Sequence, residues 1–266
     1  MKKAFIIVTV SNRVKELNEL LESMVKYVPD FNSWDVCVFM QDNLGVKDQV
    51  KTEYVTKAYI HDELLGCNAA RIALLKQPGM LEYDVYCNLD DDILLTEYTN
   101  YDPAIKKCME SGVGFVLTNW ARTESLMMKK VPKMEDRFVK QALIYQGGGM
   151  LYSNKIARLI TKLPVVKTVF DEGWPLKAYL EGYENYRYLG SLAIHKICTT
   201  GGMRSFYSQT DYSKLPNLYP EYINYKMGKD GKWLIPMDAD LTDKAKEVHR
   251  LNKTVGREAV CRAEEN

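Results

Sequence analysis

The sequence predicts an α/β fold in which a mixed, mainly parallel sheet is flanked by helices. Apolar, β-branched runs alternate with segments of helical periodicity through the first 95 residues, and this alternation is typical of parallel sheets with helical crossovers. Several of the runs are continuously apolar, as expected for strands covered on both faces. The chain has 266 residues, 46% hydrophobic and 27% charged, a composition ordinary for a globular protein.

The first half contains four predicted strands and two predicted helices. The strands are AFIIVTV (4–10), WDVCVFM (34–40), YVTKAYI (54–60) and YDVYCNL (83–89). Apolar residues recur at helical spacing from Arg13 to Val28, where Pro29 ends the helix, and a second helix is predicted over 67–77.

The second half is less regular. Its predicted elements are a helix at 102–111, a strand at 113–120, a glycine-interrupted strand at 143–152, helices at 153–162 and 174–183, strands at 186–196 and a charged helix near 241–252. The segment 121–140 is predicted to be a mobile loop or a short helix. We expect a single domain over 1–200 and a C-terminal extension, 201–266, packed on it.

Charge and cysteine usage narrow the class of protein. A net charge of +1 gives no global electrostatic argument for binding nucleic acid or membranes. The six cysteines form no C-x-x-C pair, so neither a zinc site nor a redox motif is indicated. The apolar run at the N-terminus is too short for a membrane span, and we expect an intracellular protein of a reducing compartment.

Three consecutive aspartates follow the fourth predicted strand, in YCNLDDDILL (86–95). Burying carboxylates is costly unless a cation or hydrogen bonds compensate their charge. Strand alternation would place Asp90 and Asp92 on one side and Asp91 on the other, and paired carboxylates suit Mg²⁺ or Mn²⁺. A solvated turn is the alternative, which the apolar residues on both sides disfavour.

The motif NLDDDI resembles the D-x-D motif of GT-A-fold glycosyltransferases, nearest to their family-2-like group. The opening VTVSNRVKELNELLESM is similar to that family's first strand, loop and helix. QDN (41–43) resembles its acidic turn after the second strand, and GCNAAR (66–71) resembles its G-x-x-x-A-R helix start. The resemblance covers about the first 95 residues, with these motifs in the family's order.

The resemblance implies a nucleotide-sugar donor, with a UDP-sugar first among the candidates, and a divalent metal, Mn²⁺ or Mg²⁺. It also implies a nucleotide-binding half (1–95) and an acceptor half (96–200). The residues it assigns to the donor are Thr9, Val10, Asn12, Arg13, Asp42, Arg71 and Asp91. The residues it assigns to the metal are Asp90, Asp92 and His195. Arg71 could instead lie on the helix surface or in a structural ion pair, and a lone histidine such as His195 is often structural.

Two further motifs extend this resemblance. QGGGM (146–150) would bring Gly148 and Gly149 beside the donor, although a β-bulge or a bend explains glycines equally well. In FDEGW (170–174), Asp171 or Glu172 would be the general base or would position the acceptor. The alternative for either is an acid favoured at a helix N-terminus.

The acceptor hydroxyl stays open between a glycan and a hydroxymethylated or glycosylated base of phage DNA, as used by small phage-encoded enzymes. The corresponding compartment is the cytosol of a bacterium or of a phage-infected host. A DNA acceptor predicts a basic face drawing on Lys129, Lys130, Lys133, Arg137, Lys140 and the tail lysines. The tyrosine-rich segment 204–226 could stack on sugars or bases, or could simply pack on the domain.

Two other classes of protein remain as alternatives. One is a nucleotidyltransferase that makes the sugar nucleotide, although TVSNRVKEL lacks the Gly-rich signature expected after its first strand. The other is a non-catalytic carbohydrate- or nucleotide-binding module, which would not need an acidic cluster. The sequence leaves the oligomeric state open.

Overall fold

The structure, a computed structural model, describes residues 1–41, 49–122, 134–141, 149–163 and 173–196, together with two short pieces at 226–227 and 233–234. The predicted helix near 241–252 and most of the predicted strand over 143–152 lie outside the described residues. So do Asp42, Gly148, Asp171 and Glu172 among the predicted site residues.

Nine strands of the described ranges form one sheet. They are β1 (Lys3–Val10), β2 (Trp34–Gln41), β3 (Lys57–His61), β4 (Val85–Asp90), β5 (Ile93–Leu95), β6 (Val113–Arg122), β7 (Phe138–Gln141), β8 (Met150–Ser153) and β9 (Glu184–His195). Two further strands of two residues each, β10 (Lys226–Met227) and β11 (Trp233–Leu234), pair with each other in an antiparallel arrangement.

Five α-helices accompany the sheet in the described part of the chain. They are α1 (Val14–Tyr27), α2 (Cys67–Leu75), α3 (Asp102–Cys108), α4 (Asn154–Ile160) and α5 (Gly173–Leu180). Among these residues no helix is both long enough and apolar enough to cross a membrane.

The strand order is β3-β2-β1-β4-β8-β6-β9-β5, and β7 pairs with β9 outside this path. The pairs β1–β2, β2–β3, β1–β4 and β6–β9 are parallel. The pairs β4–β8, β6–β8, β5–β9 and β7–β9 are antiparallel. Most paired residues belong to the parallel ladders, which confirms the predicted mixed, mainly parallel α/β fold.

Two hydrophobic cores cover the two faces of the sheet. The α2 face carries α2, α4 and α5, and the α1 face carries α1 and α3. In α1 the residues Leu17, Leu20, Leu21 and Met24 are fully buried at helical spacing, and burying each such side chain contributes about 1.5–3 kcal/mol. Because both faces are covered, β1 must be apolar along most of its length, and it is buried from Ala4 onward.

Several boundaries differ from those predicted. β3 begins at Lys57 rather than at residue 54, because 52–54 form a 3₁₀ turn. The strands predicted over 186–196 are one strand that begins at Glu184. The prediction of a loop or short helix over 121–140 is wrong at its end, where β7 pairs with β9 and Phe138 stacks on Tyr188 at 4.9 Å between ring centroids.

Candidate active site

The three aspartates lie at the carboxyl ends of the parallel strands. β4 ends at Asp90, and its neighbour β1 ends at Val10. From β1 the sheet extends through β2 and β3 in one direction and through β4 in the other. The β1–β4 boundary is therefore a topological switch point, where open α/β sheets form a crevice for ligands. We call this edge of the sheet the rim.

Asp90 pairs with Arg71 of α2. Arg71 Nη2 donates to Asp90 Oδ1 at 2.6 Å, and the arginine side chain is only 1% exposed. Burial raises the pKa of Asp90, while the positive charge of Arg71 opposes that shift. The alternative that Arg71 lies on the helix surface is thus wrong, and the alternative of an ion pair describes its contact.

Asp91 and Asp92 turn toward the start of α1 instead. Thr9 Oγ1 donates to Asp91 Oδ2 at 2.8 Å. Arg13 Nη1 lies 3.9 Å from Asp91 Oδ1 and 3.4 Å from Asp92 Oδ2. The predicted alternation, with Asp90 and Asp92 on one side, does not extend past Asp90, because the strand ends there and a turn follows.

His195 reaches Asp92 through the pairing of β5 with β9. Ile93 is in register with His195, and Lys196 N donates to Asp92 O at 3.0 Å. This places His195 Nε2 3.2 Å from Asp92 Oδ1. The ring of Trp120 packs edge-on against His195, with 5.0 Å between ring centroids, and this contact helps to fix the orientation of the imidazole.

The surroundings shift the pKa values of the two aspartates near Arg13 in opposite directions. Burial, reinforced by the charge of Asp92, raises the pKa of Asp91 to about 7. Burial would also raise the pKa of Asp92, but the hydrogen bond and charge of His195, together with Arg13, outweigh it and the pKa is lowered. Asp92 is therefore the better anion of the two.

The fit of this arrangement to a divalent cation depends on Asp92 and His195. Within the described ranges no group of three or more His, Cys, Asp or Glu side chains is placed to hold a metal ion. Adjacent ligands of an octahedral ion at about 2.1 Å lie about 3 Å apart, close to the 3.2 Å between Asp92 Oδ1 and His195 Nε2. Carboxylate oxygens suit Mn²⁺, histidine is a common metal ligand, and Mg²⁺-type sites complete their shell with water and phosphate oxygens. Asp92 and His195, which are hydrogen-bonded to each other in the structure, would supply two protein ligands to a cation.

Gly149 is required by packing at the start of β8. Its φ is +144°, and an added Cβ would lie 2.9 Å from Tyr101 Cε1 and 3.1 Å from Cys87 Sγ. Its carbonyl oxygen accepts a hydrogen bond from Thr118 N at 2.9 Å. These contacts support the alternative of a bend at this glycine, and its predicted place beside a donor stays a prediction. Val10 is buried at the rim and Asn12 is exposed there.

Three residues of the rim were not predicted. Gln41, the last residue of β2, holds the loop before α2 through its side-chain oxygen. Trp120 supports His195, and Lys196 pairs with Glu19 of α1. Only Gln41 had a local signal, because it is a polar residue ending a buried strand at the ligand-binding edge. The other two depend on contacts between distant parts of the chain.

The sheet and its two helical layers form a GT-A-like fold, which solved structures of glycosyltransferases share. One is S. aureus TarS 1–349 in complex with UDP-GlcNAc, with a TM-score of 0.58 and 17% identity, covering 77% of this chain and 61% of that one. Another is the mannosyltransferase PcManGT from Pyrobaculum calidifontis in complex with GDP-Man and Mn²⁺, with a TM-score of 0.59 and 13% identity, covering 75% and 58%.

These similarities confirm the predicted GT-A-like fold. The chain spans about 60% of the TarS 1–349 structure. No protein-family model matches the chain, and no curated protein matches it.

Proposed function

We propose that this protein transfers a sugar from a nucleotide-diphosphate sugar to a hydroxyl acceptor, with a divalent cation at the rim. The observation that carries the proposal is the pair Asp92 and His195, 3.2 Å apart at the switch point of this fold. The structural neighbours support it, since one was solved with UDP-GlcNAc and another with GDP-Man and Mn²⁺. A UDP-sugar is the first donor to test.

Asp92 and His195 would hold the cation, and a bound cation would stabilise the negative charge that develops on the departing diphosphate. The role of Asp90 as a metal ligand stays a prediction. In the structure, Asp90 pairs with Arg71. Arg13 contributes a fixed positive charge beside Asp91 and Asp92, which partly offsets the charge of the two carboxylates. Thr9 holds Asp91 in place through its hydroxyl group.

The predicted general base is Asp171 or Glu172. Both lie outside the described residues and immediately precede α5, which begins at Gly173. A carboxylate at this point would take the proton of the acceptor hydroxyl as the new glycosidic bond forms. This assignment remains a proposal, and it predicts that only one of the two carboxylates is essential for transfer.

The described part of the predicted basic face favours a glycan over DNA as the acceptor. Two of its members are described, and each is paired with a carboxylate: Arg137 with Glu135 and Lys140 with Glu184. Paired cations contribute less to phosphate binding than free ones, because each must first leave its partner. We therefore propose a glycan hydroxyl as the acceptor. Transfer from a radiolabelled UDP-sugar to oligosaccharides, but not to hydroxymethylated duplex DNA, is the expected result.

The donor is tested by thermal shift with UDP, GDP, CDP and their sugars, with and without Mn²⁺. We expect one nucleoside diphosphate to raise the melting temperature only when Mn²⁺ is present, and its sugar nucleotide to be slowly hydrolysed. Asp92→Asn should abolish both effects, whereas Asp102→Asn, on the exposed start of α3, should retain them.

Two outcomes would contradict the proposal. Stabilisation by a nucleoside triphosphate with a sugar phosphate would indicate a nucleotidyltransferase. Stabilisation by sugars or nucleotides without hydrolysis or transfer would indicate a binding module.

A further inference from the structure

Gln41 carries a buried amide whose orientation is fixed. Its Oε1 accepts hydrogen bonds from Leu65 N at 2.7 Å and from Gly66 N at 3.0 Å. Because only the carbonyl oxygen of an amide can accept, these two bonds identify which end of the side chain is the NH₂ group. The side chain is 0% exposed and its two bonds leave it no freedom to turn round.

The NH₂ group of Gln41 has no acceptor in the described part of the chain. Buried donors in folded proteins are almost always paired, and an unpaired one is destabilising. A ligand that supplies an acceptor atom would correct this defect. The missing partner is therefore an acceptor, such as a carbonyl or a phosphate oxygen, and not a donor.

Gln41 lies on the rim beside the proposed diphosphate site. It is in register with Val10 of β1 on one side and with His61 of β3 on the other. Neighbouring strands are about 4.8 Å apart, so the end of β2 is two strand spacings, about 10 Å, from the end of β4. If the diphosphate of a nucleotide lies at Asp92, its base can extend as far as Gln41 at the end of β2.

The surroundings of Gln41 favour a base over a phosphate. The two arginines held at the rim, Arg13 and Arg71, lie by the aspartates. The charged residues that follow β3 beside Gln41 are the acids Asp62 and Glu63. The side chain facing the amide from the next strand in register is His61, whose ring packs nearly parallel to Phe39 at 6.0 Å between centroids. A neutral amide next to flat rings is typical of sites that recognise base edges.

We propose that Gln41 determines base specificity, with its Nε2 donating to the carbonyl at position 4 of uracil or at position 6 of guanine in the donor nucleotide. This inference rests on the proposed function. It selects uracil or guanine, which carry a carbonyl at position 4 or 6. It disfavours cytosine and adenine, which carry an amino group there. The site should therefore bind UDP more tightly than CDP, or GDP more tightly than ADP.

Calorimetric titration of UDP, CDP, GDP and ADP in the presence of Mn²⁺ tests this assignment. We expect wild type to bind UDP over CDP, or GDP over ADP, by about tenfold or more. Gln41→Glu keeps an oxygen for Leu65 and Gly66 and turns the NH₂ into an acceptor, so the preference should be lost or inverted. Gln77→Glu, on the C-terminal side of α2 and away from the rim, is the matched control and should keep the wild-type ratio.

Gln41→Met provides a second variant if Gln41→Glu does not fold. Its ratio of affinities, for UDP over CDP or for GDP over ADP, should fall to near one. An unchanged ratio in the variants that bind, or an equal loss for all four diphosphates, would overturn this inference while leaving the proposed function intact. Failure of wild type to bind any of the four would overturn both.

Discussion

The acidic cluster is built differently on its two sides. Toward α2, one carboxylate meets one guanidinium at 2.6 Å, and Arg71 is almost completely buried. Toward α1, two carboxylates share the single guanidinium of Arg13 at 3.4 and 3.9 Å, and His195 approaches one of them at 3.2 Å.

The α2 side is a structural ion pair, whereas the negative charge on the α1 side is only partly compensated. The pair on the α2 side is balanced, so it can anchor α2 to the end of β4. The α1 side carries two carboxylates at 14% and 13% side-chain exposure against one arginine, and the pKa of Asp91 is raised to about 7. Like charges held this close are costly, and a cation between Asp92 and His195 would relieve that cost.

The largest effect is expected on the balanced side. Arg71→Met removes the buried guanidinium that pairs with Asp90 and should lower the free energy of unfolding by about 3 kcal/mol, measured by urea denaturation. The exposed pair of Lys140 and Glu184, at 2.6 Å, is the control. Lys140→Met should change stability by about 0–1 kcal/mol. A loss below 1 kcal/mol for Arg71→Met would contradict the structural role of the pair.

Asp92→Asn should affect activity more than stability. It removes an anion that Arg13 and His195 stabilise, so the free energy of unfolding should fall by about 1.5–3 kcal/mol. The rate of sugar-nucleotide hydrolysis should fall about 100-fold or more, since a charge-stabilising group is lost. Hydrolysis assays and urea denaturation on the same preparation measure both quantities. Unaltered hydrolysis would remove Asp92 from the site.

Thr9→Val tests how Asp91 is held. The variant loses a hydrogen bond from a buried hydroxyl to a carboxylate, and we expect a loss of about 1.5–3 kcal/mol in the free energy of unfolding. Thr9→Ser retains the hydroxyl and should recover most of that loss. Equal losses in the two variants would indicate that the methyl group, and not the hydrogen bond, stabilises this position.

The smallest effect is expected at the end of β9. Lys196 pairs with Glu19 of α1, and both side chains are about one-third exposed. Solvent screens such a pair, so a double-mutant cycle of Lys196→Met and Glu19→Gln should give a coupling energy of about 0–1 kcal/mol. A coupling above 2 kcal/mol would mean that this pair, and not the β5–β9 ladder, holds His195 beside Asp92.

The first half of the fold was predictable because its signals are local. The continuous apolar runs of β1, β2 and β4 and the helical spacing of α1 each lie within a few residues of one another. Their boundaries agree with the structure to within about two residues, the usual uncertainty of helix and strand ends. The ligand-binding edge followed from the rule for parallel sheets.

The rest depends on contacts between distant segments. No local pattern shows that β8 inserts antiparallel between β4 and β6, or that the four-residue β7 pairs with β9. The side that each aspartate faces was mispredicted because alternation requires a strand, and β4 ends at Asp90. The resemblance to a family suggested His195 as a ligand, but its partner Asp92 emerges only from the β5–β9 pairing.

Binding of Mn²⁺ to the wild type, Asp92→Asn and His195→Gln, followed by electron paramagnetic resonance with and without UDP, tests the central claim most directly. We predict one Mn²⁺ site that tightens when UDP is added and that each substitution weakens at least tenfold, as expected for loss of a metal ligand. Mn²⁺ binding of wild-type strength in both variants would contradict a cation site at Asp92 and His195.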